Sequence, residues 1–343
     1  MTAPLNHDIQ ALTPTLEVRG LSRSFIVGNG LLRQGKILRA VEDIHLSVRR
    51  GESIGVVGES GSGKTTLSRM MLGLMKPTQG DIRIDGRSIA SIDRRELARK
   101  IQPIFQDPYS SLNPRKTIGQ IIRLPLEAHG IGADQDRDEA VEQIMAQVGL
   151  PARLKHSYPS QLSGGQRQRV NIARALALQP RVVILDEAVS ALDKSVEAQV
   201  LNLLLDLKDA FKLTYVFISH DLNVVRFISD RVMVMYLGKV VELGEAQTLF
   251  DKPAHPYTAA LLSSIPAMDP ERRTEKAALS GDPPNPINPP PGCSFHTRCP
   301  MVQAVCSQQA PPLADLGRGQ SVACLMHQPG SGYSHHTAMP GLA

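Results

Sequence analysis

The chain has no tryptophan, and aromatic residues make up only 4% of its 343 residues. Aromatic side chains supply the stacking platforms for single-stranded nucleic acid, so we expect no nucleic-acid partner. No run of 18 apolar residues occurs; the best candidate, VMVMYLGKVV, is short and contains Gly238 and Lys239. The sequence therefore predicts no segment that spans a membrane on its own.

Cysteine is missing from the first 292 residues, and the start, MTAPLNHDIQALTPTLEV, has no cationic segment followed by an apolar one. Such a start is not a secretory signal, so we expect an intracellular chain whose thiols stay reduced. Hydrophobic residues at 42% and charged residues at 21% are typical of a globular protein with room for more than one structural unit. The net charge of +5 indicates an uneven solvated surface, with a basic face for phosphate or lipid head groups as the alternative.

A phosphate-binding loop is the most informative stretch. Residues 58–65, GESGSGKT, fit the pattern G-x-x-x-x-G-K-[ST] between a β-prone run and a segment with helical spacing. Glycines let backbone N–H groups face phosphate oxygens, Lys64 is expected to neutralise the β- and γ-phosphates, and the Thr65 hydroxyl to bind Mg²⁺. The alternative, a glycine turn before Lys-Thr, arises by chance in roughly one such chain per hundred. The predicted nucleotide-binding residues are Gly58, Glu59, Ser60, Gly61, Ser62, Gly63, Lys64, Thr65 and Thr66.

A pair of carboxylates follows the aliphatic run of residues 182–185 in PRVVILDEAVSALD. Such a run predicts a central parallel strand, which delivers Asp186 and Glu187 to the sheet edge where α/β proteins bind ligands. Asp186 suits a role toward Mg²⁺, and Glu187 suits a general base that polarises water. Taken alone, an apolar strand that ends in Asp-Glu is more often a solvated strand end.

Between these motifs lies QLSGGQRQRVNIARAL, whose Ser163 and following glycines predict a second anion-binding helix terminus. With SALD at residues 190–193 and His220 after TYVFIS, the sequence resembles the ABC ATPase family, whose signature is LSGGQ. Gln106 after IQPIF matches the family's Q-loop. Phe25 in LSRSFIV is a candidate for stacking on adenine, and a core strand residue is the alternative.

Several further segments resemble the peptide-importer branch, in particular the F-type ATPase subunit of dipeptide and oligopeptide permeases: IFQDPYSSLNPRKTIGQ, HPYTAALLSSIP and PINPPPGCSFHTRC. The likeness covers about residues 16–327. It implies an α/β P-loop core with an antiparallel β subdomain and a helical subdomain, and we expect a small cysteine-containing C-terminal extension. Ala188 departs from the family, in which importers usually have proline, and we expect a softer turn there without loss of a catalytic group.

The domain prediction has four parts. Residues 1–15 are expected to be a flexible N-terminus, and residues 16–250 the nucleotide-binding domain, with its helical subdomain at about 107–165. Residues 251–327 are expected to form a C-terminal domain with a proline-rich strap and the cysteines. Residues 328–343 are expected to be a flexible tail.

The resemblance implies a mechanism in which the signature of one subunit closes over the P-loop of another and encloses two ATP molecules. Ser163, Gly164, Gly165 and Gln166 would then contact ATP in trans. His220 would hold the γ-phosphate and the attacking water, so that Glu187, His220 and Gln106 form the catalytic set. The Mg²⁺ site would comprise Thr65, Gln106 and Asp186.

The implied partners are two integral membrane permease subunits, a companion D-type ATPase or a second copy of this chain, and an extracytoplasmic substrate-binding protein. The implied location is the cytoplasmic face of the cell membrane, and dipeptides, longer peptides and nickel chelates all stay open as solutes. DNA-repair and translation ATPases are a distant alternative, because Gly58 and Leu162 are only about 100 positions apart and the chain carries one ATPase cassette. A redox-sensing ATPase is a further alternative.

All four cysteines, Cys293, Cys299, Cys306 and Cys324, follow a segment with six prolines at residues 281–291. In a reduced compartment, four such thiols favour a metal site. A zinc knuckle brings two ligands within about two to four residues, whereas five, six and seventeen residues separate these thiols. A four-thiolate iron–sulfur cluster accepts looser spacing. Spacing alone leaves zinc, iron–sulfur and unliganded thiols open, and the family resemblance implies a [4Fe–4S] cluster with Zn²⁺ as the alternative.

Overall fold

The computed structural model describes residues 14–28, 35–107, 111–264, 281–317 and 319–334. The flexible ends expected from the sequence lie mostly outside this part, at residues 1–13 and 335–343. Residues 328–334 of the expected tail lie within this part, where the Tyr333 hydroxyl donates to the Met301 carbonyl and Gln303 pairs with Ser334.

Two sheets form the framework. The first is antiparallel, in the order β2-β1-β4-β5, and its strands are β1 (Leu16–Val27), β2 (Lys36–Val48), β4 (Gln79–Ile84) and β5 (Arg87–Ser88). The second has eight strands in the order β11-β12-β10-β9-β3-β8-β7-β6. These are β3 (Ser53–Val57), β6 (Ile101–Ile104), β7 (Val182–Asp186), β8 (Thr214–Ile218), β9 (Arg231–Tyr236), β10 (Lys239–Glu245), β11 (Ala314–Asp315) and β12 (Ser321–Val322).

The five strands β9, β3, β8, β7 and β6 run parallel, whereas β10, β12 and β11 add antiparallel pairs at one edge. Both faces of the parallel part are covered, which explains the continuous aliphatic runs in its strands. In β7, Val182 and Ile184 pack on the face toward the antiparallel sheet, and Val183 and Leu185 on the opposite, helical face. The alternation follows from the two-residue period of a strand.

Helices cover the sheet and build a separate helical region. They are α1 (Lys64–Met71), α2 (Arg94–Lys100), α3 (Ile118–His129), α4 (Asp134–Gln147), α5 (Gly164–Leu176), α6 (Lys194–Phe211), α7 (Leu222–Ile228), α8 (Ala246–Asp251) and α9 (Pro256–Ser263). The helices α3 and α4 lie in the segment expected to be the helical subdomain. Within the described ranges, no helix is long and apolar enough to cross a membrane.

The C-terminal extension is part of the main sheet. The strand β12 pairs with β10, with Val322 opposite Glu242, and the Ala323 N–H donates to the Val241 carbonyl. Glu242 is fully buried and accepts hydrogen bonds from the Ala254 and His255 N–H groups and from the Gln320 amide. Burial raises the pKa of this carboxyl, and the three donors partly oppose that shift. The C-terminal extension is therefore bonded, through Gln320, to the buried Glu242 carboxylate.

Candidate nucleotide site

The loop between β3 and α1 requires glycine where its backbone passes close to neighbouring strands. Gly58 and Gly63 have φ angles of 148° and 103°, which side chains rarely allow. A Cβ at Gly58 would overlap the Met235 carbonyl oxygen, and one at Gly63 would overlap that of Ala40. Both glycines therefore fix how the loop turns between the two sheets.

The Lys64 ammonium lies inside this loop. Its Nζ donates to the carbonyls of Gly58 and Glu59 at 2.6 and 2.9 Å, and only 7% of the residue is exposed. Burial lowers the pKa of the ammonium, while the carboxylates of Glu187 and Asp186 oppose that shift. The loop thus holds a buried cation bonded to its own carbonyls.

A cavity of about 440 Å³ opens beside Lys64. It brings together about half of the residues that the sequence assigned to ATP and to hydrolysis. From the antiparallel sheet come Phe25 and Ala40, and Phe25 also stacks under the Arg23 guanidinium at 4.7 Å. The predicted site residues that line it are Phe25, Ser60, Gly61, Gly63, Lys64, Thr65, Thr66, Glu187 and His220. Its size falls within the range of small-molecule sites.

Glu187 and His220 face each other at the carboxyl ends of neighbouring strands. The His220 Nδ1 atom lies 3.2 Å from Glu187 Oε1, and the Glu187 side chain is 24% exposed. Glu187 itself adopts a left-handed backbone with φ 52°, held by its N–H bond to the Ile218 carbonyl. Strained backbone of this kind is concentrated at functional sites.

Asp186 is half-buried at the end of β7 and does not line the cavity. Burial raises the pKa of its carboxyl, and the negative charge of Glu187 raises it further, while Lys64 lowers it. Gln106 is exposed just after β6 and does not line the cavity either. Their assignment to Mg²⁺ stays a prediction.

The signature forms its own helix terminus. Ser163 caps α5 in a reciprocal pair with Gln166: the Gln166 N–H donates to Ser163 Oγ at 3.3 Å, and the Ser163 N–H donates to Gln166 Oε1 at 3.0 Å. A Cβ at Gly165 would overlap the Val196 side chain, so this glycine lets α5 approach α6. None of the described residues 163–166 lines the cavity. The signature helix terminus therefore lies outside the cavity of its own chain.

Two residues that sequence reasoning did not place touch the phosphate loop. Arg298 forms two hydrogen bonds with the Glu59 carboxylate, and the Tyr257 hydroxyl accepts from the Glu59 N–H. The cysteine segment is far from the P-loop in sequence, yet through Arg298 it contacts the loop directly. Both residues lie within segments that carried the family resemblance, HPYTAALLSSIP and PINPPPGCSFHTRC, which was the only signal available.

The four cysteines line one small cavity of about 20 Å³, together with His255, His296 and Tyr333. Burial raises the pKa values of the Cys299 and Cys324 thiols to about 12 and about 11, and the other thiols contribute. Four thiols are a donor set suited to metal. However, across the described part of the chain no three His, Cys, Asp or Glu side chains are arranged to hold a metal ion.

Comparisons with known proteins agree with these features. A family model described as "ABC transporter" matches residues 41–190, and one described as "Oligopeptide/dipeptide transporter, C-terminal region" matches residues 241–306. The oligopeptide transport ATP-binding protein AppF of Bacillus subtilis is 47% identical over 320 residues, which cover 91% of this chain and 97% of AppF. The dipeptide transport ATP-binding protein DppF of Escherichia coli is 47% identical over 314 residues, covering 91% of this chain and 94% of DppF.

Solved structures share the fold. The dimeric ATP-binding cassette MJ0796 in a post-hydrolysis state with ADP and phosphate is 30% identical, with a TM-score of 0.59, and the match covers 67% of this chain and 98% of that one. CbiO1 of Clostridium perfringens, part of the transporter complex CbiONQ, is 27% identical, with a TM-score of 0.60, and the match covers 70% and 92% of the two chains.

Proposed function

The chain belongs to the family of ATP-binding subunits of oligopeptide/dipeptide ABC transporters, and on that premise we propose how its own residues carry out the family's ATP hydrolysis. It is the ATP-binding subunit of a peptide importer, an ABC ATPase whose hydrolysis of ATP powers import. The observation that supports the site assignment best is the single cavity that joins the phosphate loop to Glu187 and His220.

Substrate binding begins at the phosphate loop. The nucleotide's terminal phosphates replace the Gly58 and Glu59 carbonyls as partners of the Lys64 ammonium, which is already buried and aimed into the loop. Phe25 at the cavity wall offers a face for adenine. ABC ATPases work on ATP together with Mg²⁺, and the Thr65 hydroxyl and the Asp186 carboxylate are the oxygen ligands that would hold this ion. Held there, the ion would neutralise negative charge on the phosphates.

Glu187 then acts on water. Its carboxylate accepts the proton of a water molecule that attacks the γ-phosphate, and His220, 3.2 Å away, holds that carboxylate and the water in line. Glu187 has a left-handed backbone, and it lines the cavity. Gln106, exposed beyond β6, would complete the Mg²⁺ environment and report it to the membrane partner.

A second subunit completes the site. The signature residues 163–166 form a capped helix terminus but do not reach the cavity of their own chain. A partner's signature closing over this P-loop would supply those donors, and this chain's Ser163 would serve the partner in the same way. The partner is a companion D-type ATPase or a second copy, and the dimeric form of MJ0796 supports such pairing.

Transport requires further subunits. We propose two integral membrane permeases, an extracytoplasmic substrate-binding protein, and a position at the cytoplasmic face of the membrane. These partners follow from the family, whose members AppF and DppF are described as oligopeptide and dipeptide transport ATP-binding proteins. The solute, whether dipeptide, longer peptide or nickel chelate, would be selected by the binding protein and the permeases.

The thiols are proposed to bind a metal centre, a [4Fe–4S] cluster with Zn²⁺ as the alternative. Convergence of all four cysteines on one cavity supports the donor set. The arrangement as it stands does not fit an ion, and the cavity is small, so the four side chains would have to rearrange around the centre. No step of ATP hydrolysis runs through it.

The experiment is purification of the tagged chain from its own membranes. We expect permease subunits to co-purify, and the complex in vesicles to take up peptide only when ATP is supplied on the side of this subunit. Co-purification with ribosomes or DNA instead of permeases would contradict the assignment. A Glu187→Gln complex should assemble equally well but show no uptake.

A further inference from the structure

We propose that Arg298 and Tyr257 are positioning residues for the phosphate loop, so that the cysteine-bearing extension controls nucleotide affinity. The inference rests on the proposed use of this loop to bind nucleotide. Glu59, the second residue of the GESGSGKT motif, is the point where the extension and the loop meet.

The contact with the Glu59 side chain is a two-bond ion pair. Arg298 Nη1 lies 2.7 Å from Glu59 Oε2, and Nη2 lies 2.9 Å from Oε1, although 239 positions separate the residues. The Arg298 side chain is 5% exposed and that of Glu59 is 23% exposed, so the pair is largely shielded from water. The carboxylate holds the pKa of the guanidinium above its usual value. A paired fork of this kind fixes orientation as well as charge.

The Glu59 backbone is held independently. Its N–H donates to the Tyr257 hydroxyl at 2.8 Å, and Tyr257 is completely buried. The side chain and the main chain of one loop residue are thus both bonded to residues from beyond position 250. Since the Glu59 carbonyl in turn accepts from Lys64, the position of Glu59 also determines where the ammonium lies before nucleotide binds.

Three packed aromatic rings hold Arg298 and Tyr257 in position against Glu59. The ring centroids of Tyr236 and Tyr257 are 4.7 Å apart, and each lies 5.4 Å from the ring of Phe295. Phe295 is 1% exposed and stands between Cys293 and Cys299, one turn before Arg298. The fold of the cysteine segment therefore determines the position of the Arg298 guanidinium.

Charge gives the contact its effect on binding. The Glu59 carboxylate lies in the same loop as Lys64, and its negative charge favours the charged form of the ammonium and so raises its pKa. When Arg298 neutralises the Glu59 carboxylate, the carboxylate repels an incoming phosphate only weakly. Without Arg298 it repels the phosphates and is free to compete for Lys64. Loss of Arg298 should therefore weaken nucleotide binding, and neutralising Glu59 in the same protein should restore part of it.

The test measures equilibrium binding of Mg·ADP, which is not hydrolysed, together with kcat and KM for ATP. In Arg298→Met we expect the dissociation constant and KM to rise roughly 2- to 30-fold, the range seen for changes in coupled networks. We expect a smaller rise in Arg298→Lys, which cannot form both bonds, and partial recovery in Arg298→Met with Glu59→Gln. Tyr257→Phe removes one hydroxyl and provides a variant that keeps the ring cluster.

The matched control is Arg231→Met. Arg231 pairs with Glu52 at 3.0 Å at the amino end of β3, away from the loop, and their side chains are 22% and 9% exposed. The Arg231→Met protein should lose thermal stability but keep its affinity for Mg·ADP. Unchanged affinity in Arg298→Met and Tyr257→Phe, or an equal loss in Arg231→Met, would overturn the positioning role. If the unmodified protein fails to bind Mg·ADP, the proposed function fails first, and the inference fails with it.

Discussion

The Nδ1 atom of His220 lies 3.2 Å from Oε1 of Glu187, 33 positions earlier in the chain, because β7 and β8 are parallel neighbours that end at the same edge of the sheet. From this geometry, Glu187→Gln should still bind Mg·ATP but lose roughly 100- to 10,000-fold in kcat, the contribution of a positioned base. Steady-state phosphate release and equilibrium nucleotide binding measure the two quantities separately.

Glu139→Gln is the control for that variant, since Glu139 is an exposed carboxylate on α4 outside the cavity. Its turnover should match that of the unmodified protein. Unchanged hydrolysis in Glu187→Gln would remove Glu187 from the mechanism and leave the cavity without an identified base.

The signature supplies a second prediction. Because Ser163 caps a helix terminus outside its own chain's cavity, Ser163→Ala should leave nucleotide binding to the single chain intact. Hydrolysis by the assembled complex should fall by roughly 100- to 1,000-fold, as when one preorganised donor to the transition state is removed. Weakened binding of nucleotide to the isolated chain would show that Ser163 acts in cis.

Metal analysis decides the nature of the cysteine cavity. Protein purified without oxygen should contain iron and sulfide and should absorb in the thiolate-to-iron charge-transfer region. Substituting Cys299 and Cys324 together by serine should abolish both signals. One equivalent of zinc without iron would refute the cluster, and protein free of both metals would show that the four thiols are buried and unliganded.

His255 predicts a pH dependence of stability. Burial lowers the pKa of its imidazole to about 3, and the neighbouring His327 adds to the shift. Unfolded histidine titrates near 6.5, so between about pH 6.5 and pH 3 the unfolded chain binds the extra proton. The free energy of unfolding should therefore fall as the pH drops through this window, by up to about 1.4 kcal/mol per pH unit from this residue.

Urea unfolding at a series of pH values tests that prediction against His255→Asn, which keeps an acceptor to cap α9. The Glu242 carboxylate and the Cys293 thiol lie against the same buried region and are present in both proteins. The variant should show the shallower decline below pH 6.5. Parallel curves for the two proteins would contradict the neutral, buried state of His255.

Sequence reasoning was strongest where function depends on local backbone. The segment from Ser53–Val57 through Lys64 to the following helix was predicted as strand, loop and helix, and the structure has those elements. The aliphatic strand before Asp186 is parallel to both of its neighbours, as expected, although it lies next to the edge strand β6 rather than at the centre of the sheet. Local spacing determines such features, because glycine positions and strand periodicity specify them within about ten residues.

The pairing of Arg298 with Glu59 could not be predicted from local spacing in the sequence. It depends on β12 joining β10 and on three rings from distant segments packing together, and no spacing in the sequence encodes that approach. Convergence of the four cysteines was expected from their number, but the spacing left the centre undecided, since side-chain geometry rather than sequence separation determines which centre fits.

The most direct test of the account is equilibrium binding of Mg·ATP to the purified chain and to Lys64→Ala. Because the buried ammonium is bonded inside the loop, we expect measurable affinity in the unmodified protein. In the variant the dissociation constant should be roughly 10- to 150-fold larger, which corresponds to the free energy of a hydrogen bond to a charged group. Equal affinity in both proteins, or none in either, would contradict the assignment of this loop as the ATP site.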